Sequence, residues 1–104
     1  MELYHVTSIS NAESILCLGF RDSTHYGPKL IGVWLADHPT WDGGPTEIIP
    51  DGCECLVVDL RVPITELRKY EIPEYETFRQ FCVPATLIRA RGRVTQHSLH
   101  KKSR

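Results

Sequence analysis

The sequence predicts an α+β protein in which two small packed antiparallel or mixed β-sheets accompany one main N-terminal helix. Short apolar runs typical of strands recur along the chain, whereas only one early segment has the periodicity of a long helix. The helix comes early rather than between each pair of strands, which excludes a doubly wound parallel sheet. The 104 residues, 41% apolar and 24% charged, suit one small globular domain.

A strand and a helix are predicted first. The apolar run Leu3–Val6 indicates a strand because residues with turn and cap chemistry follow it at once. Ser10 and Glu13 have the spacing of a capping box, which predicts that a helix begins there. Four apolar residues recur on one face of that helix: Ile9, Ala12, Ile15 and Leu16. Gly19 provides its C-terminal cap.

The rest of the chain is predicted to be strands joined by loops and short turns. The expected strands are Gly32–Asp37, Cys55–Val62, Thr77–Val83 and Arg89–Thr95. A loop is expected over Arg21–Lys29, a turn or one helical turn after Asp37, and one helical turn over Thr65–Arg68. In the last strand, two-residue alternation places Arg89, Arg91 and Arg93 on one face.

Basic residues are concentrated at the C-terminal end. Residues 1–88 hold all 13 acids and six bases, a net charge of −7, whereas residues 89–104 hold six bases and no acid, a net charge of +6. We predict one domain over residues 1–95 and a basic tail over residues 96–104. A charge run of this kind is most often a solvated terminus that adds only solubility, and contact of these basic residues with RNA or DNA phosphates is the alternative.

Several classes of protein are not expected. No apolar stretch approaches the roughly 18 residues of a membrane span, and the N-terminus does not resemble a secretory signal, so a cytoplasmic protein without membrane contact is predicted. Cys53 and Cys55 lack the spacing of a zinc knuckle, and no metal site is predicted. The glycine patterns that cradle phosphates in dinucleotide-binding and P-loop proteins are also missing.

Three strands carry residue types that suit chemistry better than a core. His5 and Thr7 share one face of the first strand, where a rigidly held imidazole can pair with a hydroxyl. Trp34 offers a flat face for stacking on a heteroaromatic ring. Gln80 is an amide among apolar neighbours and needs hydrogen-bond partners. The structural alternatives are a satisfied histidine, a core tryptophan and a glutamine on the wet face of an edge strand.

The order of these segments resembles one family. Tyr4-His5-Val6-Thr7 is similar to the H-G-T or H-G-S first motif of the diphtheria-toxin-type ADP-ribosyltransferases. Gly32-Val33-Trp34-Leu35-Ala36-Asp37 resembles the G-I-Y-F-A-D strand of the poly(ADP-ribose) polymerases. Gln80-Phe81-Cys82-Val83-Pro84 is similar to the E-V-L-I-P strand that carries the third motif. Together the three segments extend from Tyr4 to Pro84.

The resemblance implies a split two-sheet fold that binds NAD. By that resemblance His5 hydrogen-bonds the nicotinamide ribose, Thr7 lies near the adenosine ribose, the Val6 backbone meets the carboxamide and Trp34 stacks on nicotinamide. Gln80 takes the place of the catalytic glutamate. Independently of the resemblance, the loop placement and charge of Arg21, together with His25 and Tyr26, suggest contact with the diphosphate.

The expected function is therefore an NAD-binding ADP-ribosyltransferase that cleaves the nicotinamide glycosidic bond and passes ADP-ribose to an unknown acceptor, a protein or a nucleic acid. Val6, Trp34 and Gln80 depart from the family's glycine, tyrosine and glutamate. Because Gln80 brings no negative charge, a catalytically weak or inactive module that binds nucleic acid or phosphate ligands, as in RNA 2′-phosphotransferases, is the alternative. A protein-interaction domain without a small ligand is a third.

Overall fold

Eight strands and three α-helices lie in the part of the chain that the structure, a computed structural model, describes: residues 1–23, 31–42, 44–73 and 78–97. The strands are β1 (Glu2–Ser8), β2 (Val33–Ala36), β3 (Thr40–Trp41), β4 (Gly44–Pro45), β5 (Cys53–Leu60), β6 (Glu71–Ile72), β7 (Gln80–Val83) and β8 (Gly92–Gln96). The helices are α1 (Ile9–Leu18), α2 (Ile64–Leu67) and α3 (Ala85–Arg91). A 3₁₀ turn at Arg68–Tyr70 follows α2 directly.

Six of these strands form one antiparallel sheet in the order β6-β7-β2-β1-β5-β8, and β3 pairs with β4 in a separate hairpin. The α+β class is confirmed. The expectation of two small packed sheets is wrong, because β1 joins strands from both halves of the chain into one sheet, whereas the main N-terminal helix is present as α1. Strand β1 pairs with β5 from Glu2 to Ser8 on one edge and with β2 at Tyr4 on the other.

The core lies on one face of this sheet. Leu3, Leu35, Leu56, Val58 and Phe81 are fully buried, and all three helices contribute side chains to the same cluster. Burial of each such side chain contributes about 1.5–3 kcal/mol, so this cluster determines which face the helices cover. On the opposite face, Cys55 and Val57 of β5 are also buried, which makes β5 an interior strand as predicted.

Helix α1 begins two residues earlier than the capping-box spacing predicts. The strand runs directly into the helix, so Ser8, the last residue of β1, is the N-cap, and its hydroxyl accepts a hydrogen bond from the Asn11 N–H at 3.2 Å. Ala12 and Ile15 pack toward the core, whereas Ile9 and Leu16 are 41% and 45% exposed. The predicted apolar face is therefore only partly correct.

The predicted C-terminal cap of α1 is confirmed. Gly19 has a φ of 87°, in the left-handed region that glycine adopts easily, and its N–H donates to the Ile15 carbonyl at 2.8 Å.

The predicted last strand over Arg89–Thr95 is wrong in its first half. Ala85–Arg91 is helix α3, because alanine, leucine and arginine are strong helix formers and Pro84 supplies the turn that starts the helix. The carboxylate of Asp22 accepts the Ala85 N–H at 2.8 Å. Strand β8 begins only at Gly92, where a Cβ would lie 2.8 Å from the Ile88 carbonyl oxygen.

Other predicted boundaries shift. The turn after Asp37 contains the β3–β4 hairpin, and the helical turn predicted at Thr65–Arg68 is confirmed as α2 with its 3₁₀ extension. Strand β7 begins at Gln80 rather than Thr77, which lies outside the described residues. The longest helix among the described residues, α1, has 10 residues, and none of these helices has the length and apolar character of a membrane span.

Candidate functional site

The sheet opens between β1 and β2. These strands pair at Tyr4 and Ala36, whereas β1 and β5 pair through seven consecutive residues. Beyond the Tyr4–Ala36 pair, strands β1 and β2 are linked by a side chain instead of by their backbones. Nδ1 of His5 donates to the Trp34 carbonyl oxygen at 2.8 Å. The interruption of the ladder leaves a gap in the middle of the six-stranded sheet.

A cleft of about 410 Å³ occupies the helix side of this gap. Its volume lies within the range of about 300–1,000 Å³ that is usual for small-molecule sites. Four segments line it: His5 and Thr7 of β1; Asn11, Ser14 and Ile15 of α1; Gly19, Phe20, Arg21 and Ser23 after α1; and Gly32, Val33 and Trp34 at β2. Four predicted site residues, His5, Thr7, Arg21 and Trp34, therefore surround one cleft.

The imidazole of His5 is held in one orientation. Its ring meets the Phe20 ring edge-on, with centroids 5.2 Å apart and planes at 90°. Burial lowers the pKa of His5 below its ordinary 6.5, and the hydrogen bond to Trp34 opposes that shift in part. Because Nδ1 faces a carbonyl oxygen, we assign its proton there, which leaves Nε2 as an acceptor in the neutral ring.

Gln80 does not line this cleft. It lines a smaller cavity of about 120 Å³ together with His5, Val6, Trp34 and Thr40. One row of cross-strand neighbours consists of Tyr4, Ala36 and Gln80. Because side chains alternate along a strand, Trp34 points to the same face of the sheet as this row. His5 points to the opposite face. Because His5 and Trp34 line both spaces, the two cavities lie on either side of the β1–β2 gap.

The segment after α1 is anchored on both sides of the cleft. Ser23 and Gly32 exchange backbone hydrogen bonds of 2.8 and 3.2 Å, and Nη2 of Arg89 donates to the Phe20 carbonyl at 3.2 Å. Gly32 is required by the close approach of β7, since a Cβ there would lie 2.9 Å from Sγ of Cys82. Tyr26 and His25, predicted to reach a diphosphate, lie outside the described residues.

Sequence analysis missed several polar residues of the site. Asn11 lines the cleft and donates through Nδ2 to the Thr7 hydroxyl at 3.3 Å, Ser14 lies one helical turn further on, and Thr40 lines the smaller cavity with Gln80. Asn11 and Ser14 are three residues apart on α1, and that spacing is a signal that could have identified a polar stripe on one helix face.

The chemistry available at the cleft is hydrogen bonding and stacking. No group of three His, Cys, Asp or Glu side chains within the described ranges is suited to hold a metal ion. Burial raises the pKa of Cys55 to about 11, so this thiol stays protonated at neutral pH and is a poor nucleophile. A neutral imidazole, three hydroxyls, an amide, a guanidinium and an indole are therefore the groups that a ligand meets.

The low pKa of His5 makes the stability of the fold dependent on pH. The unfolded chain takes up the His5 proton near pH 6.5 while the folded protein resists it, so the stabilising contribution of neutral His5 is complete above about pH 6.5 and is lost as the pH falls. We expect the free energy of unfolding to decrease between about pH 7 and pH 5, by at most about 1.4 kcal/mol per pH unit from this one proton.

Urea unfolding of the wild type and of His5→Asn over this pH range measures that effect. The expected result is a steeper loss of stability in the wild type than in the variant, since all other ionisable residues are common to both. Parallel pH profiles would show that His5 keeps its ordinary pKa in the folded protein.

No protein-family model matches the chain, and comparisons with curated proteins and with solved structures also find no match. The structure thus defines an α+β protein with a large antiparallel sheet, three helices in its described part and a polar cleft where that sheet opens.

Proposed function

We propose that this protein binds NAD in the cleft between β1 and β2 and acts as a slow ADP-ribosyltransferase. The observation that carries the proposal is the meeting of His5, Thr7, Arg21 and Trp34 around one cleft, although up to 29 positions separate them in the sequence. The pairing of β1 and β2 is interrupted beyond Tyr4 and Ala36, and this opening gives a ligand access to the cleft.

In this proposal the neutral His5 is the fixed acceptor of the site. Nδ1 is occupied by the Trp34 carbonyl, so Nε2 accepts a hydrogen bond from a hydroxyl of the nicotinamide ribose. Arg21 lines the same cleft and supplies the positive charge that a diphosphate needs, while Thr7 and Asn11 offer polar contacts to the second ribose.

The reaction proposed is cleavage of the bond between C1′ of the ribose and the nicotinamide nitrogen. Nicotinamide leaves with the bonding electron pair, an acceptor oxygen forms the new bond to C1′, and the acceptor's proton passes to water. In this proposal the nicotinamide ribose lies in the gap beside His5, where Gln80 of the smaller cavity hydrogen-bonds its 2′-hydroxyl but cannot offset positive charge on C1′. The missing charge makes this transfer slow.

Calorimetric titration with NAD tests the binding half of the proposal. We expect saturable binding to the wild type and a loss of affinity of about tenfold in Trp34→Leu, because one aromatic stacking contact contributes about 0.5–1.5 kcal/mol beyond its buried area. Trp41→Leu is the matched control, since Trp41 is 44% exposed on the hairpin. Absence of heat at millimolar NAD, or equal losses in both variants, would refute the proposal.

A further inference from the structure

A second candidate site lies at the opposite end of the sheet from the cleft. A surface depression of about 350 Å³ is lined by Arg61, Arg91 and Arg93 together with Ala90 and Gly92. Leu56, the cross-strand partner of His5, is four residues before Leu60, so about 13 Å of strand β5 separates the level of His5 from the start of this depression.

The backbone brings the three arginines together. Arg61 follows β5 and its N–H donates to the carbonyl of Arg91, the last residue of α3, at 2.8 Å. Arg93 lies on β8 opposite Asp59. The change from helix α3 to strand β8 at Gly92 thus places Arg91 and Arg93 beside Arg61.

These guanidinium groups are poorly neutralised. Within the described ranges neither Arg91 nor Arg93 forms an ion pair, and the nearest carboxylate to Arg61 is that of Asp59, with Nε and Oδ2 4.0 Å apart. Arg61 is 73% exposed, so water weakens that pair. By contrast, Arg79 forms a bidentate ion pair with Glu71, and Arg89 donates a hydrogen bond to the Phe20 carbonyl oxygen. The depression therefore carries a net positive charge that the ion pair with Asp59 does not neutralise.

We infer that this depression, which we call the arginine pocket, binds the phosphates of a single-stranded nucleic acid. Guanidinium groups pair with phosphate oxygens in bidentate geometry, and clustered arginines whose charge exceeds that of nearby carboxylates are the usual electrostatic footprint of nucleic-acid binding. A single strand can bend its backbone into a concave pocket, whereas a duplex, stiff over about 150 bp, lies across the rim. The sequence after His97 adds Lys101, Lys102 and Arg104 with no acid.

This inference does not depend on NAD binding. The pocket shares no lining residue with the cleft between β1 and β2. Binding of a nucleic acid is therefore measured without NAD, and failure of one proposal leaves the other standing.

Fluorescence anisotropy with a labelled oligouridylate of about 12 nucleotides tests the inference on the full chain, at about 20 to 200 mM KCl. Three phosphate contacts to a single strand predict that log Kd rises with log salt concentration with a slope of about 2. Arg61→Gln/Arg93→Gln removes two of the three contacts, so we expect Kd at 0.1 M salt to rise at least about tenfold and the slope to fall below about 1.

The matched control is Arg68→Gln/Lys69→Gln, which removes the same charge from exposed residues of the 3₁₀ turn beside the other edge of the sheet. It should change Kd by less than about twofold. Arg61→Lys/Arg93→Lys, which keeps the charge, should retain most of the affinity, and matching far-ultraviolet circular dichroism spectra verify folding of each variant.

Three results would overturn the inference: no binding at the lowest salt concentration, equal losses in the two glutamine double variants, or loss of binding in Lys101→Gln/Lys102→Gln while the pocket variant binds normally. Equal affinity for a polyglutamate peptide of the same charge would overturn the assignment to nucleic acid. Displacement of the oligonucleotide by equimolar inorganic phosphate would instead indicate a free-phosphate site.

Discussion

Gln80→Glu should increase the rate of nicotinamide release from NAD by about 10²–10³-fold, because one well-placed electrostatic group stabilises a charged transition state by about 2.7–4 kcal/mol. Gln80 lines the small cavity with His5, Val6 and Trp34. The variant adds a carboxylate at that position without changing the length of the side chain. Release of nicotinamide, measured by chromatography at saturating NAD, gives the result directly.

Gln96→Glu is the control for this experiment. It adds the same charge to an exposed residue of β8, so it should leave the rate within about twofold of the wild type. An unchanged rate in Gln80→Glu, with NAD binding retained, would mean that the reacting bond lies away from residue 80. An equal increase in both glutamate variants would show that net charge, not the site, is responsible.

His5→Asn should weaken NAD binding by roughly 5- to 150-fold, the effect of about 1–3 kcal/mol when a buried group loses its hydrogen-bond partner. The shorter asparagine side chain can place its amide N–H near the position of Nδ1 and keep the bond to the Trp34 carbonyl, but it has no acceptor where Nε2 lies. Binding is therefore lost while the link between β1 and β2 is retained.

His5→Ala and His38→Asn complete this test. His5→Ala also loses the ring contact with Phe20 and the bond to Trp34, so it should lower the melting temperature as well, by roughly 4–8 °C for each kcal/mol lost in a domain of this size. His38 lines a separate cavity with Glu47. The variant His38→Asn should therefore bind NAD as the wild type does. Wild-type affinity in His5→Asn would remove His5 from the site.

The candidate site was predictable in its residue types but not in its shape. His5, Trp34 and Gln80 stand out because each is a poor choice for a strand core, and the structure brings all three to one small cavity. The larger cleft also depends on Asn11, Ser14 and Ser23, whose residue types are ordinary for helix starts and loops. Nothing in their local sequence distinguishes a lining residue from a solvated one.

Arg89 shows where local patterns fail. Alternation of Arg89, Arg91 and Arg93 predicted one basic strand face, but the structure places Arg89 on α3 against the Phe20 carbonyl and turns the other two toward Arg61. Helix and strand periods both fit so short a segment. The helix is favoured by its alanine, leucine and arginine residues and by Asp22, 63 residues away, which accepts the first N–H of α3.

Local patterns in the sequence were enough to predict the α+β class, helix α1 with its Gly19 cap and the interior strand β5, because cap residues and apolar runs involve side chains that are close together in the chain. Contacts between distant parts of the chain are responsible for the single six-stranded sheet, for its opening between β1 and β2, and for the three arginines that share a pocket. Strand pairing joins residues as far apart as Glu2 and Asp59, and burial of the whole face selects those partners.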